Sequence, residues 1–394
     1  MQLLGEEEAK RAETRTQLKD DNFLREMHSR LVPGIENSEG RFEVHKFTCA
    51  ALELPDFSDF ERLRSLIDAL IAELDPRDFL GCTTALEMLA ETAATAPKCV
   101  AFFGQIGLLH TVYELFKHTK AEPDMGIIHI ETIGNLNSIK NVLPIFSACV
   151  RFFAYLSTAD ADSLTKFPEF TADVFDSVYR FDAFDVTRRQ LAFETLAVIG
   201  SSSGAKQILS QNESLFSMQR AMSHLAVAVA TASEPSLKAR HLEAVQMIFD
   251  QITVPGSEQK QNSSAAAPDW EEQLLHRWFR WLGEPFPKLL LQCVRDPISE
   301  VQMGALRVLM ALLHHQWAYP HFCAVNGFID LLVDRSVANF DADALQLKHA
   351  LVCRVVDAAS PSVNAGQMEL LRDYRVKGPF WLTPRMEVAT EGAG

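Results

Sequence analysis

An alanine followed by a large apolar residue recurs inside amphipathic segments, and this repeat constrains the fold more than any other feature. In the clearest units, a turn such as Asp75-Pro76 or Asp296-Pro297 precedes the pair by about ten residues. The alanines stand at positions 85, 148, 192, 244, 305 and 350, spaced 44 to 63 residues apart. Such a period is typical of stacked helical repeats with insertions, because a small residue lets two helices cross closely.

The apolar residues between these turns follow the period of an α-helix. From Leu63, for example, they fall at positions 63, 66, 67, 70, 71 and 74. The same pattern predicts helices over Leu86–Ala93, Leu108–Phe116, Phe146–Leu156, Phe170–Tyr179, Leu191–Ile199, Leu237–Ile252, Val301–Leu313 and Leu345–Val356. The predicted fold class is therefore all-α, an armadillo/HEAT-like helical-repeat solenoid. A set of unrelated amphipathic helices rich in alanine is the alternative.

Two glycines support units of the armadillo type. Gly107 and Gly327 each stand just before an apolar helical segment, at Leu108 and at Phe328. Glycine at this point permits a sharp corner between a short helix and the next one. We therefore expect a tight helix–helix corner at both positions.

The chain is expected to contain two stretches of repeats. Residues 1–40 are highly charged, so we expect either an exposed helix or no fixed structure there. The segment 254–269 has the composition of a flexible linker or loop. The remaining predicted segments are 41–253, the first part of the solenoid with a loop insert at 117–142; 270–377, its second part; and 378–394, a C-terminal tail.

Composition excludes several classes of protein. The 52 acidic residues outnumber the 37 basic ones, which gives a formal net charge of −15. Nucleic acid and anionic membranes are therefore not expected as partners through the overall field. The longest apolar runs have only six residues, such as Val308 to Leu313, so no membrane span is predicted. Seven cysteines without a CxxC pair favour a reducing compartment, the cytoplasm or the nucleus.

Motifs that carry chemistry are weak. Ser202 lies in a G-x-S-x-G sequence, but a helix precedes it where a hydrolase needs a strand. The group His314, His315, His321 and Cys323 lacks the usual spacing of zinc ligands. We therefore predict no enzyme, no catalytic residues, no cofactor and no metal site. The aromatic cluster of Trp270, Trp278, Trp281, Phe279 and Phe286 is either the core of a helix pair or a docking patch.

Several stretches resemble one known family. They are Arg41–Leu54, Phe79–Ala93, Phe167–Leu209, Gly327–Val337 and the tail sequence Gly378-Pro379-Phe380-Trp381. From about Asn22 onward, the chain resembles the 26S proteasome non-ATPase regulatory subunit 5 family, which consists of armadillo/HEAT-type assembly chaperones. Members of that family carry additional repeats before the point where this chain begins, so the resemblance makes the chain N-terminally short.

The resemblance implies a function without chemistry. Family members bind the C-terminal domains of proteasomal AAA ATPase subunits while the base of the regulatory particle assembles, and they sterically block premature docking on the core particle. The implied partners are those ATPase subunits and other base subunits, and the free protein is expected to be a monomer. The alternative is an armadillo scaffold or adaptor of another system, such as a nucleotide-exchange adaptor of a heat-shock ATPase.

Armadillo geometry predicts where a partner binds. The last helix of each unit lines the concave side, so exposed basic residues on those helices are the candidates for contact with an acidic surface. They are Arg188, Arg189, Lys238, Arg240, Arg307, Lys348 and Arg354. Phe380 and Trp381 are a separate candidate, because Gly378-Pro379 ends the helix before them, and they either cap the last repeat or face a partner.

Overall fold

The computed structural model describes residues 2–31, 38–121, 136–183, 186–250, 268–335, 341–358 and 361–381. Within these ranges the regular secondary structure is entirely helical, with no strand. The α-helices are α1 (Gln2–Lys19), α2 (Asp21–Arg30), α3 (Ser38–Glu53), α4 (Arg64–Ala72), α5 (Phe79–Thr95), α6 (Lys98–Gln105), α7 (Leu108–Ala121), α8 (Leu136–Ala159), α9 (Ser163–Lys166), α10 (Pro168–Tyr179), α11 (Val186–Ser201), α12 (Ser203–Gln211), α13 (Met218–Thr231), α14 (Pro235–Phe249), α15 (Asp269–Trp281), α16 (Phe286–Val294), α17 (Ser299–Leu312), α18 (Ala318–Cys323), α19 (Phe328–Val333), α20 (Ala342–Ala358) and α21 (Ala365–Lys377).

The chain divides into two compact units. Unit 1 contains Met1–Ser177, Val198–Phe216 and Thr253–Ser263, and unit 2 contains Val178–Ala197, Ser217–Ile252 and Ser264–Gly394. The segments of the two units alternate along the chain, and the predicted division at 254–269 stays a prediction, because most of it lies outside the described residues. Residues 2–30 of the predicted N-terminal segment form α1 and α2. Most of the predicted insert at 117–142 also lies outside the description, which resumes with α8.

Each unit contains a series of long helices that pack side by side. In unit 1, α3 packs against α5 and α5 against α8, while α4 and α7 contact α3 and α8. In unit 2, α14 packs against α17 and α17 against α20, with α13 and α16 beside them. The predicted fold class, all-α with armadillo/HEAT-like helical repeats, is confirmed within each unit.

The repeated alanines lie where the sequence predicts close packing, with one exception. Ala85, Ala148, Ala192, Ala244 and Ala305 are all buried. The prediction is wrong for Ala350, which is exposed on α20 because Leu351 and Val352 next to it provide the buried face of that helix. Gly304 is also tightly surrounded, because an added Cβ atom would lie 3.3 Å from Leu242 Cβ on α14.

Both predicted corner glycines adopt the left-handed conformation. Gly107 has φ of 80° before α7, and Gly327 has φ of 84° before α19. A side chain would strain the backbone at these values.

No single helix in the described ranges is long and apolar enough to cross a membrane. Lys98–Gln105 and Leu108–Thr119 pass that test only as a pair, by length and composition, and they are bent by 75° at this corner.

Replacing Ala305 by leucine should destabilise unit 2 by about 1–3 kcal/mol, because the larger side chain overpacks a buried helix face. Ala305 has no exposed surface, whereas Ala350 is exposed and provides a matched control. Ala350→Leu should change the stability by less than about 0.5 kcal/mol. Urea unfolding of both variants measures the difference. Equal midpoints would contradict the assignment of Ala305 to a helix contact.

Candidate functional site

A groove lies between two neighbouring long helices of unit 2, α14 and α17. It has a volume of about 450 Å³ and is partly open to solvent. Its lining residues are Ser236, Ala239, Arg240, Glu243, Gln246, Ser299, Glu300, Met303, Gly304 and Arg307. Gly304 and Ala239 are the smallest residues of this set, and an added Cβ on Gly304 would lie 3.7 Å from the Ala239 carbonyl oxygen. The backbones of α14 and α17 therefore approach closely at the bottom of the groove, and charged side chains of both helices form its sides.

The charges in this groove are mixed. Arg240 Nη1 lies 3.3 Å from Glu243 Oε2 on the same helix and 3.9 Å from Glu194 Oε1 on α11. Glu300 adds a further carboxylate to the lining. Arg307 is exposed, and it forms no hydrogen bond or ion pair with the residues that the structure describes. Arg307 is thus the groove cation most available to an external carboxylate.

The two candidate arginines of α11 lie at its first turn and are half-buried. Arg189 Nη2 donates to the carbonyl oxygen of Asp182 at 2.8 Å and so holds the turn that precedes the helix. Its neighbour Arg188 also has contacts within the protein. Both arginines therefore make contacts within the protein, apart from any contact with a partner.

Neither of the two predicted lysines, Lys238 and Lys348, lines the groove. Lys238 precedes Arg240 by two residues, about 200° around α14, so the two side chains leave different sides of the helix. The prediction that Lys348 is exposed is wrong: it is 1% exposed, and its Nζ donates to the carbonyl oxygen of Asp334. Burial lowers the pKa of Lys348 to about 8. A lysine can be buried in this way because its ammonium group reaches a backbone acceptor.

The remaining candidates lie near the C-terminal end of unit 2. Arg354 Nη1 on α20 donates to Nδ1 of His314, which follows the end of α17. Trp381 is half-buried against Arg335, whose guanidinium carbon is 5.2 Å from its ring centroid and 3.9 Å from that of Tyr374. Arg335 also donates to the carbonyl oxygens of Gly378 and Trp381. Trp381 therefore packs against Arg335, whereas Phe380 is 56% exposed, and whether either residue contacts a partner stays a prediction.

The motifs that carried weak chemical signals have structural roles. Ser202 is the N-cap of α12, and its hydroxyl accepts from Ala205 N and contacts the carbonyl oxygen of Thr158. His315 is buried and contacts Glu272 Oε1 and Oε2 at 2.9 Å through Nδ1, and the Phe249 carbonyl oxygen at 3.0 Å through Nε2. Within the described ranges, no three His, Cys, Asp or Glu side chains are grouped to hold a metal ion.

The aromatic cluster of α15 and α16 is mostly core. Trp278, Phe279 and Phe286 are buried, and Trp278 has no exposed surface. Trp270 at the start of α15 is 40% exposed. Trp278, Phe279 and Phe286 therefore belong to the core of unit 2, as the first of the two alternatives predicts.

Comparison with known proteins gives the family. The model of the proteasome non-ATPase 26S subunit family matches residues 50–394. The chain belongs to this family. The chain is 24% identical over 335 residues to the 26S proteasome non-ATPase regulatory subunit 5 of Bos taurus and 23% identical over 343 residues to that of Homo sapiens. These matches cover 83% and 86% of this chain and 59% and 61% of the two relatives, so the chain spans about three fifths of their length.

Two solved structures resemble the chain more distantly. SYS-1 overlays with a TM-score of 0.40 and 11% identity, over 82% of this chain and 52% of SYS-1. An engineered protein overlays with a TM-score of 0.34 and 14% identity, over 93% of this chain and 90% of that one. All the candidate contact residues of this member of the proteasome non-ATPase 26S subunit family fall inside the part that the family model matches.

Sequence reasoning missed the acidic half of the groove. Glu243 follows Arg240 by three residues on one helix, a spacing at which opposite charges meet, so the pair was visible in the sequence. Glu194 was not, because it reaches Arg240 from another helix 46 positions away.

His241, beside Arg240, is buried, and its ring packs edge-on against Phe193 at a centroid distance of 5.0 Å.

The stability of unit 2 should fall as the pH drops from 6.5 towards 4, because His241 is buried as the neutral form. Burial lowers its pKa from 6.5 to about 4, so in this window the unfolded chain binds a proton that the folded chain does not. At about 1.4 kcal/mol for each pKa unit, the loss attributable to His241 is about 3 kcal/mol. Urea unfolding at pH 7 and pH 4.5 should show a smaller loss for His241→Leu than for the unchanged protein.

The exposed His118 on α7 provides the control for this pH dependence. His118→Gln should lose as much stability as the unchanged protein between the two pH values. An identical acid-induced loss in His241→Leu would contradict the role assigned to His241.

Proposed function

We propose that this chain is a non-catalytic chaperone for assembly of the proteasome regulatory particle base. It binds C-terminal domains of proteasomal AAA ATPase subunits and sterically blocks premature docking of the base on the core particle. Membership of the proteasome non-ATPase 26S subunit family supports a role within this assembly. We further propose that the protein acts in the cytoplasm or the nucleus and is a monomer when free.

The groove between α14 and α17 is the proposed contact surface. It presents charged residues from two parallel rows, Arg240 and Glu243 on one helix and Glu300 and Arg307 on the other. A helical domain that presents both an acidic and a basic residue at matching positions would complement these rows, and complementary charges select the correct partner and speed association. The proposed partner surface is therefore mixed in charge, rather than purely acidic.

The observation that carries this surface proposal is the exposed and unpaired state of Arg307 within the described part of unit 2. Arg240 already has two carboxylates within 4 Å, so binding an external carboxylate there replaces existing contacts. Arg307 gains a partner without losing one, because no described side chain pairs with it. We therefore assign Arg307 as the anchor of the groove, with Arg188, Arg189, Lys238, Arg240, Arg354 and Phe380 as further candidate contacts.

Binding to an ATPase domain tests the function and the surface together. Each isolated C-terminal domain of the proteasomal ATPase subunits is titrated into the purified protein by calorimetry. We expect saturable one-to-one binding to one of these domains, and at least about tenfold weaker binding for Arg307→Glu, because the reversal puts a carboxylate opposite a carboxylate. Arg188→Glu and Lys238→Glu tested in the same way extend the map beyond the groove.

Arg372→Glu provides a control with the same change of charge. Arg372 is exposed on α21 of unit 2 and does not line the groove, so its reversal should leave the affinity within about twofold. Equal weakening by Arg307→Glu and Arg372→Glu would mean that only net charge matters and would contradict the groove. Binding to the nucleotide domain of a heat-shock ATPase, with none to any proteasomal domain, would contradict the function.

A further inference from the structure

Two histidines of unit 2 meet at the surface with their ring nitrogens facing each other. His276 lies on α15 and His321 on α18, and their Nε2 atoms are 3.4 Å apart. Both side chains are half-buried, so solvent reaches the pair. The distance is longer than the 2.7–3.2 Å of an ordinary N–H donor contact in proteins, so a hydrogen bond between the rings would be a weak one.

Both rings are held in place by aromatic neighbours. The ring of His276 stacks on the indole of Trp317 at a centroid distance of 5.1 Å and an interplanar angle of 12°. The indole is itself fixed, because its Nε1 donates to Glu272 Oε2 at 2.9 Å and its ring stacks on buried His315. The ring of His321 packs against Phe279 at 5.1 Å.

We propose that His276 and His321 form a two-histidine site for a divalent transition-metal ion such as Zn²⁺. Zinc–nitrogen distances of about 2.0–2.1 Å and a tetrahedral angle put two imidazole nitrogens about 3.3–3.4 Å apart, which is the separation found here. Water completes the coordination, because both histidines are only half-buried. Ligands held by packing need little rearrangement when the ion binds.

The surroundings of the pair set limits on the site. Arg280 is close enough to act electrostatically on both imidazoles, so a cation at this position meets some repulsion. Glu272 lies beyond Trp317 and forms its contacts with that indole and with His315. The site is therefore expected to favour ions with a strong preference for imidazole nitrogen, in the order Cu²⁺ above Ni²⁺ and Zn²⁺, over Mg²⁺ or Ca²⁺.

The proposal is independent of any proteasomal partner and is tested on the full chain without a histidine tag. After treatment with EDTA and its removal, Zn²⁺ is titrated into the protein by calorimetry. We expect one saturable site, which His276→Gln and His321→Gln each weaken at least about tenfold, because each variant removes one of two ligands. His118→Gln, at an exposed histidine of α7, should leave that site unchanged.

A fluorescence measurement covers the case in which a histidine variant folds poorly. Bound Cu²⁺ at this site should quench the emission of Trp317, which stacks on His276. The quenched fraction should therefore fall in Trp317→Phe, while Mg²⁺ should give no quenching in the unchanged protein. No saturable Zn²⁺ binding, or Zn²⁺ binding equal in the unchanged protein and both histidine variants, would overturn the proposal.

Discussion

The close packing of α14 against α17 determines the form of the groove in unit 2. Gly304 has no side chain between the helices, and a Cβ atom there would stand 3.3 Å from Leu242. The neighbouring Ala305 is buried without exposed surface, so a larger side chain at position 305 would overpack the helix contact. Because the backbones meet at this point, the long charged side chains of both helices rise on either side and form the walls of the groove.

The balance of charge within the groove follows from the same packing. Side chains that leave the contact line of two helices have few directions available, so Arg240 meets Glu243 on its own helix and Glu194 on α11. Exposed pairs of this kind contribute little to stability, about 0–1 kcal/mol each. Their larger effect is on recognition, because they neutralise one arginine and leave Arg307 available. Among the residues that line this groove, Arg307 is thus an accessible cation on a chain with a net charge of −15.

The helices, their buried alanines and the two corner glycines were predictable from the sequence, because each depends on short-range periodicity or on the conformation of one residue. The burial of Lys348 was not, since its position on α20 looks polar until the Asp334 carbonyl is known to lie beneath it. The pairing of His276 with His321 was missed for a related reason. In the sequence, His321 stands close to His314 and His315 and was considered together with them. In the fold, it lies next to His276, which is 45 positions away in the chain.

One imidazole joins the two ends of a long connection. His315 contacts the Phe249 carbonyl at the end of α14 through one nitrogen and Glu272 in the first turn of α15 through the other. His315, which lies outside the connection between α14 and α15, thus contacts both of its ends. The entropic cost of closing a loop rises only slowly with the length of the loop. Evolution can therefore lengthen or shorten the chain between α14 and α15 at small energetic cost, which makes this connection a natural place for inserted sequence.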